Sequence, residues 1–295
     1  MTLPISDKDF ATLQEMDDGD FTIPQTGKYT IMAIGGKGGT GGTGGTGGTG
    51  GGVVSSSRSH SGGTGGTGGT GGTGGYGYIV IEDVELTAGD VLTISKGKAG
   101  ENGANGSNGT DGEDIPVPYN PSSSDDGTDG AVGNDGENGG DTTIACNGSV
   151  ILTAKGGTGG TGGTGGTGGH GVYAYYSDYY KGYTVEDGSG GNGGNGGNGG
   201  TGSLCGNAGS AGSAGIVGTR SGSWAFVGTD DNGSNGTAGS GGSSVAPNNA
   251  STATGSNWAS AVTLFDNTFS ALAQLITPSE TGRVFICKAG NSFPL

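Results

Sequence analysis

Residues 35–52 read GGKGGTGGTGGTGGTGGG, so that two positions of every triplet are glycine. A period of three excludes the α-helix, which repeats every 3.6 residues, and the β-strand, which repeats every two. It matches the left-handed polyproline II helix, which has three residues per turn and no internal hydrogen bonds. The backbone N–H and C=O groups of such a helix need partners outside it. Glycine lets a neighbouring helix approach closely enough to provide them.

Seven further tracts share this period, and we number all eight in chain order. Tracts 1 to 8 are residues 35–52, 62–75, 97–112, 127–140, 156–169, 188–202, 206–218 and 233–242. Tracts 1, 2, 5 and 6 carry two glycines per triplet, and the other four carry one. Each glycine leaves a bare face, so we expect the first class inside a bundle and the second in an outer layer. We expect the third position of each triplet (Thr, Asn, Asp or Ser) to face water or a gap.

Composition supports backbone packing over a conventional core. Glycine accounts for 77 of 295 residues, and hydrophobic residues for only 29%. A collagen triple helix would need far more than the 8 prolines present. Disorder, which is the usual interpretation of glycine-rich sequence, is the main alternative. The strict phase and similar lengths of the tracts favour a bundle within one chain.

Charge and targeting signals exclude several classes of function. The formal net charge of −16 disfavours nucleic acid and anionic membrane surfaces as partners. No segment approaches the about 20 apolar residues of a membrane span, and the N-terminus lacks the pattern of a secretory signal. Cys146, Cys205 and Cys287 are too far apart for a disulfide framework or a zinc site, so we expect them to be reduced.

Apolar, β-branched segments lie between some of the tracts. They predict strands near residues 20–34, 78–95, 142–154 and 261–288. The predicted fold class is therefore mostly irregular and β: a bundle of about eight polyglycine II helices, capped at one end by a small antiparallel β-sandwich. Residues 20–295 would form this domain, and residues 1–19 a separate N-terminal segment. Short connections predict an up-and-down course in which odd-numbered tracts run outward and even-numbered tracts return.

This course gathers four loops at one end and every β segment at the other. The loops are residues 53–61, 113–126, 170–187 and 219–232. The loop of residues 170–187 holds six of the ten tyrosines. Tyr, Ser and Gly are the composition of antibody paratopes, because tyrosine gives rigid contact area at low entropic cost. We predict that it recognises a partner, the alternative being a small core that closes the loop. Its candidate residues are His170, Tyr173, Tyr175, Tyr176, Tyr179, Tyr180, Lys181 and Tyr183.

The other loops add candidates of mixed type. Arg220, Trp224 and Phe226 are residue types of binding hot spots, with local packing as an equal alternative. Arg58 and His60 offer a cation and a polar contact, and Tyr119 lies in an acidic loop with Asp114, Asp125 and Asp126. The spacing of these acids matches no calcium-binding loop, so we predict no metal and no cofactor. Gly-x-Ser-x-Gly and His-Glu-x-x-His motifs are missing, and the sequence predicts a protein that is not an enzyme.

Two segments resemble the glycine-rich domain of bacteriophage tail-fibre tips. These are Asp20-Phe-Thr-Ile-Pro followed by Gly27-Lys-Tyr-Thr-Ile-Met-Ala-Ile-Gly-Gly, and Val84-Glu-Leu-Thr-Ala-Gly-Asp-Val-Leu-Thr-Ile. Asp141-Thr-Thr-Ile and the closing Gly282-Arg-Val-Phe-Ile are similar as well. The resemblance covers about residues 20–290, and it extends to the distal receptor-binding adhesins of T-even-like phages. The regular Gly-Gly-Thr tracts depart from the pattern of those adhesins.

The resemblance implies a function in host attachment. A tail-fibre adhesin would be part of the virion and would bind a bacterial surface receptor, either a polysaccharide or an outer-membrane protein, through loops at the helix ends. Its other partner would be the tail-fibre shaft or another virion protein, with residues 1–19 as a possible attachment segment. No nucleic acid and no membrane insertion are expected. The alternatives are a subunit of a self-assembling filament or coat, and an ice-binding protein that presents rows of threonine.

Overall fold

The computed structural model describes residues 14–55, 58–77, 79–116, 122–177, 182–186, 188–202, 209–217, 220–221, 234–243 and 280–288. These residues form β-strands and no α-helix, and most of the remainder is irregular, so the predicted mostly irregular and β class is confirmed. The strands are β1 Gln14–Met16, β2 Gly19–Thr22, β3 Gly27–Ile34, β4 Val53–Ser55, β5 Arg58–His60, β6 Ile79–Leu86, β7 Val91–Ser95, β8 Ile115–Pro116, β9 Ser122–Ser123, β10 Thr142–Cys146, β11 Ser149–Ala154, β12 Tyr173–Ser177, β13 Gly182–Glu186, β14 Arg220–Ser221 and β15 Arg283–Lys288.

Two four-stranded antiparallel sheets pack together as a sandwich. Their strand orders are β1-β15-β3-β6 and β11-β10-β7-β2. The core between them is built from side chains of both sheets: Met16, Ile23, Tyr29, Ile31, Ala33, Leu86, Leu92, Ile94, Ile144, Leu152, Ala154, Val284 and Ile286. Removing this apolar surface from water stabilises the sandwich in the ordinary way. The buried Tyr29 hydroxyl still donates a hydrogen bond, to the Gln25 carbonyl at 2.7 Å.

Short turns set the register of the sandwich strands. Asn147 and Gly148 both have positive φ and connect β10 to β11, whose last pair is Cys146 with Ser149. An Asn-Gly pair suits this two-residue hairpin turn because both residues tolerate that conformation. The Cys146 thiol is free, as predicted, and burial raises its pKa. Cys205 and the side chain of Cys287 lie outside the described part of the chain.

The glycine tracts are joined to one another by backbone hydrogen bonds. In tract 1, the amides of Gly38, Gly41, Gly44, Gly47 and Gly50 donate to carbonyl oxygens of tract 2, all at 2.9 Å. The glycines that follow the first four of them, Gly39, Gly42, Gly45 and Gly48, donate to carbonyl oxygens of tract 4 at 2.7–2.8 Å, and Gly51 donates to the Asp125 carbonyl just before that tract at 2.7 Å. Tract 1 therefore contacts the same neighbouring tract at every third residue.

The number of neighbours follows the number of glycines per triplet. Among the described residues, backbone bonds connect each of tracts 1, 2, 5 and 6 to four other tracts. Tracts 4 and 7 have three such neighbours, and tracts 3 and 8 have two. The bonds order the tracts in two rows, 3-1-2-7 and 4-5-6-8. The expected difference between inner and outer tracts therefore holds for these hydrogen bonds.

Chain direction agrees with the predicted up-and-down course. Tract 1 meets tract 2 in an antiparallel register that runs from Gly38–Gly75 to Gly50–Gly63. It meets tract 3 in a parallel register, because Gly100, Gly103, Gly106, Gly109 and Gly112 donate in turn to Lys37, Thr40, Thr43, Thr46 and Thr49. Tract 1 begins directly after β3 and ends at β4, so the sandwich and the loops lie at opposite ends of the tracts.

The third position of each triplet does more than face water, which corrects the expectation from sequence. Asn102, Asn105, Asn108 and Asp111 of tract 3 accept hydrogen bonds from the amides of Thr40, Thr43, Thr46 and Thr49 at 2.8–3.1 Å. The hydroxyls of Thr158, Thr161, Thr164 and Thr167 likewise accept from amides of tract 6 at 2.6–2.7 Å. Side chains thus accept hydrogen bonds from amides for which the backbone of the neighbouring tracts supplies no carbonyl.

Candidate functional site: the loop end of the tracts

Seven of the described strands lie at the loop end, where sequence predicted none. They form two small sheets, with the orders β13-β12-β9 and β14-β5-β4-β8. The expectation that every β segment shares the sandwich end is therefore wrong. We call these two sheets, with the loops that contain them, the tip. The strands are two to five residues long, which is too short for hydrophobic alternation to be visible in the sequence.

One loop ties the two sheets of the tip together. In residues 113–126, β8 pairs in parallel with β4 and β9 pairs antiparallel with β12. The loop of residues 219–232 joins the first sheet through β14, which pairs with β5. All four loops thus share hydrogen bonds with a neighbour, and the tip is one connected platform.

A small apolar cluster closes the base of this platform. It consists of the buried residues Val53, Val172 and Ala174, with Ile115 packed against them. Beside it, the buried Ser124 hydroxyl donates to the Gly51 carbonyl at 2.5 Å and accepts from the Val172 amide at 2.8 Å. The alternative that the loop of residues 170–187 closes on a small core is partly correct, because Val172 and Ala174 do so. Tyr173, the tyrosine of this loop whose side chain the structure describes, is not among the residues of this cluster.

His170 and Tyr173 are the two candidates whose side chains the structure describes. The His170 ring is exposed, and its Nδ1 lies 3.2 Å from Asp126 Oδ2. The other oxygen of Asp126 accepts from the Gly171 amide at 2.7 Å. Tyr173 is 38% exposed, a large value for an aromatic residue within a sheet. Both side chains are therefore accessible to a partner.

Tyr173, Tyr175, Tyr176 and Tyr183 lie in a hairpin of β12 and β13. Tyr173 pairs with Glu186, Tyr175 with Thr184, and Tyr176 with Tyr183. The hairpin therefore places four tyrosines within two adjacent strands. Tyr179, Tyr180 and Lys181 lie outside the described residues, and of Tyr175, Tyr176 and Tyr183 only the backbone is described.

The basic candidates come together on the other sheet. His60 pairs with Arg220, and Arg58 lies two residues before His60 in the same strand. Sequence gave no sign that loops some 160 residues apart would place them on adjacent strands. Tyr119, Trp224 and Phe226 lie outside the part of the chain that the structure describes.

The acidic loop uses its carboxylates within the fold. Asp114 Oδ1 accepts from the Gly52 amide at 2.5 Å, and Asp126 serves Gly171 and His170 as described above. Within the described ranges, no group of three or more His, Cys, Asp or Glu side chains is placed to hold a metal ion. Nor do those ranges include an apolar helix of the length that a membrane crossing requires.

Sequence reasoning missed Ser124, Val53 and Val172 as the parts that hold the platform together. A signal did exist for the two valines: Val53 directly follows the last glycine of tract 1, and Val172 comes three residues after the end of tract 5. No family model matches this chain, and no curated protein shows significant sequence similarity to it.

Proposed function

We propose that the eight tracts are polyglycine II helices packed as one bundle. The recurrence of each neighbour at every third residue supports this, because a helix with three residues per turn presents the same face at that interval. The approach of the backbones supports it as well. A Cβ atom added to Gly44 would lie 2.1 Å from the Thr164 carbonyl oxygen, a distance that only glycine permits.

On this scaffold we propose a non-enzymatic adhesin of a bacteriophage tail fibre, which binds a receptor on the bacterial surface through the tip. The observation that carries the proposal is the tip itself: four loops, hydrogen-bonded into one platform, present a hairpin with four tyrosines. Tyrosine supplies contact area with little loss of side-chain entropy on binding. A connected platform also lowers the entropic cost of binding, because the strands within its loops are already paired.

Strand direction supports attachment to the virion at the opposite pole. Gln14, the first residue of β1, pairs with Ile286, whereas Met16 at the other end of β1 pairs with Val284, which is closer to the tracts. β15 ends at Lys288, which pairs with Tyr29 and is farther from the tracts still. The described chain ends, Gln14 and Lys288, therefore lie at the side of the sandwich away from the tracts. A fibre shaft or another virion protein joined there would leave the tip uncovered.

The test is binding of the purified protein to a panel of Gram-negative bacteria. Replacing Tyr173, Tyr175, Tyr176 and Tyr183 with alanine should abolish binding to the strains that bind the parent protein. Val150→Ala is the matched control, since Val150 is 64% exposed on the sandwich, far from the tip. Thermal unfolding of each variant would show that the fold is kept. Unchanged binding of the tyrosine variant, or no binding of the parent protein to any strain, would contradict the proposal.

A further inference from the structure

Basic residues are distributed unevenly along the long axis of this acidic protein. Between the sandwich junction and the tip, the tracts contain no Lys or Arg beyond Lys37 and Lys98. The four loops, in contrast, contain three of the 11 Lys and Arg residues and both histidines. The loops also contain nine of the 27 Asp and Glu residues, so their cations matter through where they are placed and not through net charge.

Register brings three of these residues to neighbouring positions on one face of a sheet. Residues opposite each other in an antiparallel pair share a face, as do residues two apart in a strand. His60 is opposite Arg220, and Arg58 is two residues from His60. Val53, which is opposite His60 on the other side, shares this face and belongs to the apolar cluster of the tip. The basic positions therefore flank that cluster.

The second sheet brings two tyrosine positions to the same cluster. Ala174 of β12 is one of the buried cluster residues. Tyr176 is two residues further along β12 and pairs with Tyr183 of β13, so both positions share the face of Ala174. The two sheets thus meet through Val53 and Ala174, with basic positions on one face and tyrosine positions on the other.

Within the part of the chain that the structure describes, two carboxylates of the acidic loop are kept apart from the basic positions. The acidic loop reaches the first sheet through β8, and in the order β14-β5-β4-β8 this strand is at the opposite edge from β14. The carboxylates of Asp114 and Asp126 are engaged by the amides of Gly52 and Gly171. The basic edge and the acidic edge are therefore separate.

We infer that this part of the tip binds a sugar that carries a phosphate or a carboxylate. Arginine suits both anions, because its planar guanidinium forms paired hydrogen bonds with their oxygens. Tyrosine rings offer amphipathic surfaces for the sugar ring. The inference rests on the proposed function and names the chemical class of receptor: an acidic glycan of the bacterial surface.

The test uses three sugars with one scaffold: glucose 6-phosphate, glucuronic acid and neutral glucose. Binding to the full chain would be measured by NMR titration at fixed ionic strength. We expect at least one of the two anionic sugars to bind about tenfold or more tightly than glucose, as charge-assisted hydrogen bonds allow. Comparing glucose 6-phosphate with glucuronic acid then shows whether the site prefers a phosphate or a carboxylate.

Variants assign the affinity to the named positions. Arg58→Gln with Arg220→Gln should lower the affinity for the anionic sugar about tenfold or more and leave that for glucose unchanged. Tyr176→Ala with Tyr183→Ala should weaken all three sugars. Lys28→Gln with Lys155→Gln removes the same charge far from the tip and should change nothing. Arg58→Lys with Arg220→Lys keeps the positive charge and should retain part of the preference for the anionic sugar over glucose. This variant tests the inference even if the glutamine variant misfolds.

Equal affinity for glucose and both anionic sugars, or full affinity in the arginine variants, would overturn the inference. Its failure is distinguishable from failure of the proposed function. If the arginine-to-glutamine variant still binds bacteria while the tyrosine variant does not, host attachment stands and the acidic glycan does not.

Discussion

The sandwich and the tracts exclude water in opposite ways. In the sandwich, side chains such as Ile31 and Ile144 fill the space between two sheets. In the tracts, glycine lets neighbouring backbones meet directly through N–H···O=C bonds, with no apolar side chains packed between them. The comparison teaches that glycine can be a core residue. The sandwich core depends on the volume of its apolar side chains, whereas the contacts between tracts depend on glycine having no side chain.

The largest expected effect is that of a single methyl group inside the tracts. A Cβ on Gly45 would lie 1.9 Å from the Ser107 carbonyl oxygen, so backbones that cannot yield would have to separate. Gly45→Ala should therefore lower the free energy of unfolding by about 4 kcal/mol or more, a loss that point substitutions rarely reach. Chemical denaturation would measure it.

Gly241→Ala is the matched control for this prediction. The nearest atom to its added Cβ would be the Gly209 oxygen at 3.9 Å, an ordinary contact. It should be neutral, or stabilise by about 0.4–1 kcal/mol through the unfolded state. Equal losses for the two alanines would contradict backbone packing as the basis of the tract interior.

A second prediction concerns the junction where the two kinds of core meet. The buried Thr142 hydroxyl donates to the Ile34 carbonyl at 2.7 Å and accepts from the Gly97 amide at 2.9 Å. Thr142→Val keeps the shape of the side chain but leaves the Ile34 carbonyl and the Gly97 amide without this hydroxyl as a partner. The free energy of unfolding should fall by about 1–3 kcal/mol. Thr143→Val, in the same strand and half-buried, is the control. If both variants unfold at the same denaturant concentration, the hydroxyl does not join the two regions.

A third prediction adds a hydrogen bond between two tracts, where the sandwich would instead gain from added apolar volume. Asp129, Asp135, Asn138 and Asp141 accept from amides at three-residue spacing in tract 5, and Asp126 accepts from the Gly171 amide just beyond it, but Val132 interrupts the row. Val132→Asn should supply the acceptor for the Gly165 amide and stabilise by about 0.5–1.5 kcal/mol. Val132→Ala should give no gain. A loss of stability in the asparagine variant would show that the row does not depend on its acceptors.

The smallest expected effect is at the edge of the sandwich. Hydrogen bonds from Arg283 hold the pKa of Glu15 below its usual value of 4.5. Because the pKa of Glu15 is lower in the folded state, its ionised carboxylate stabilises the fold above pH 4.5. This stabilisation is lost as the pH falls through the folded-state pKa. Glu15→Gln should therefore destabilise at pH 7 by no more than about 1 kcal/mol. The difference should shrink steadily below pH 4.5 in thermal melts, and a constant difference would exclude the ion pair as its cause.

Sequence predicted the repeating part of the molecule well because its period carries the information. Two glycines per triplet in tract 1 and one in tract 3 were enough to predict which would have more neighbours. The hydrogen bonds from Asn102 and its equivalents were missed, although Asn or Asp at every third residue was visible. A row of acceptors with this spacing is a usable signal for such a contact.

The tip was harder to predict because its contacts join distant segments. Nothing local indicates that the strand containing His60 pairs with the strand containing Arg220. Strands of two or three residues carry no periodicity, and Pro116 argues against a strand by propensity alone. Position within the loops was predictable from tract direction, whereas pairing between them required the structure.

The recurrence of each contact at every third residue also limits how such a chain can change in length. Deleting one residue from an inner tract would turn every following glycine away from its neighbour, so only whole triplets can be added or removed. Such a change in one tract would mismatch up to four others, and a longer rod would need coordinated insertions in all eight. Loops at the ends of the tracts escape this restriction, so this architecture lets the recognition surface diversify while the length of its support stays constant.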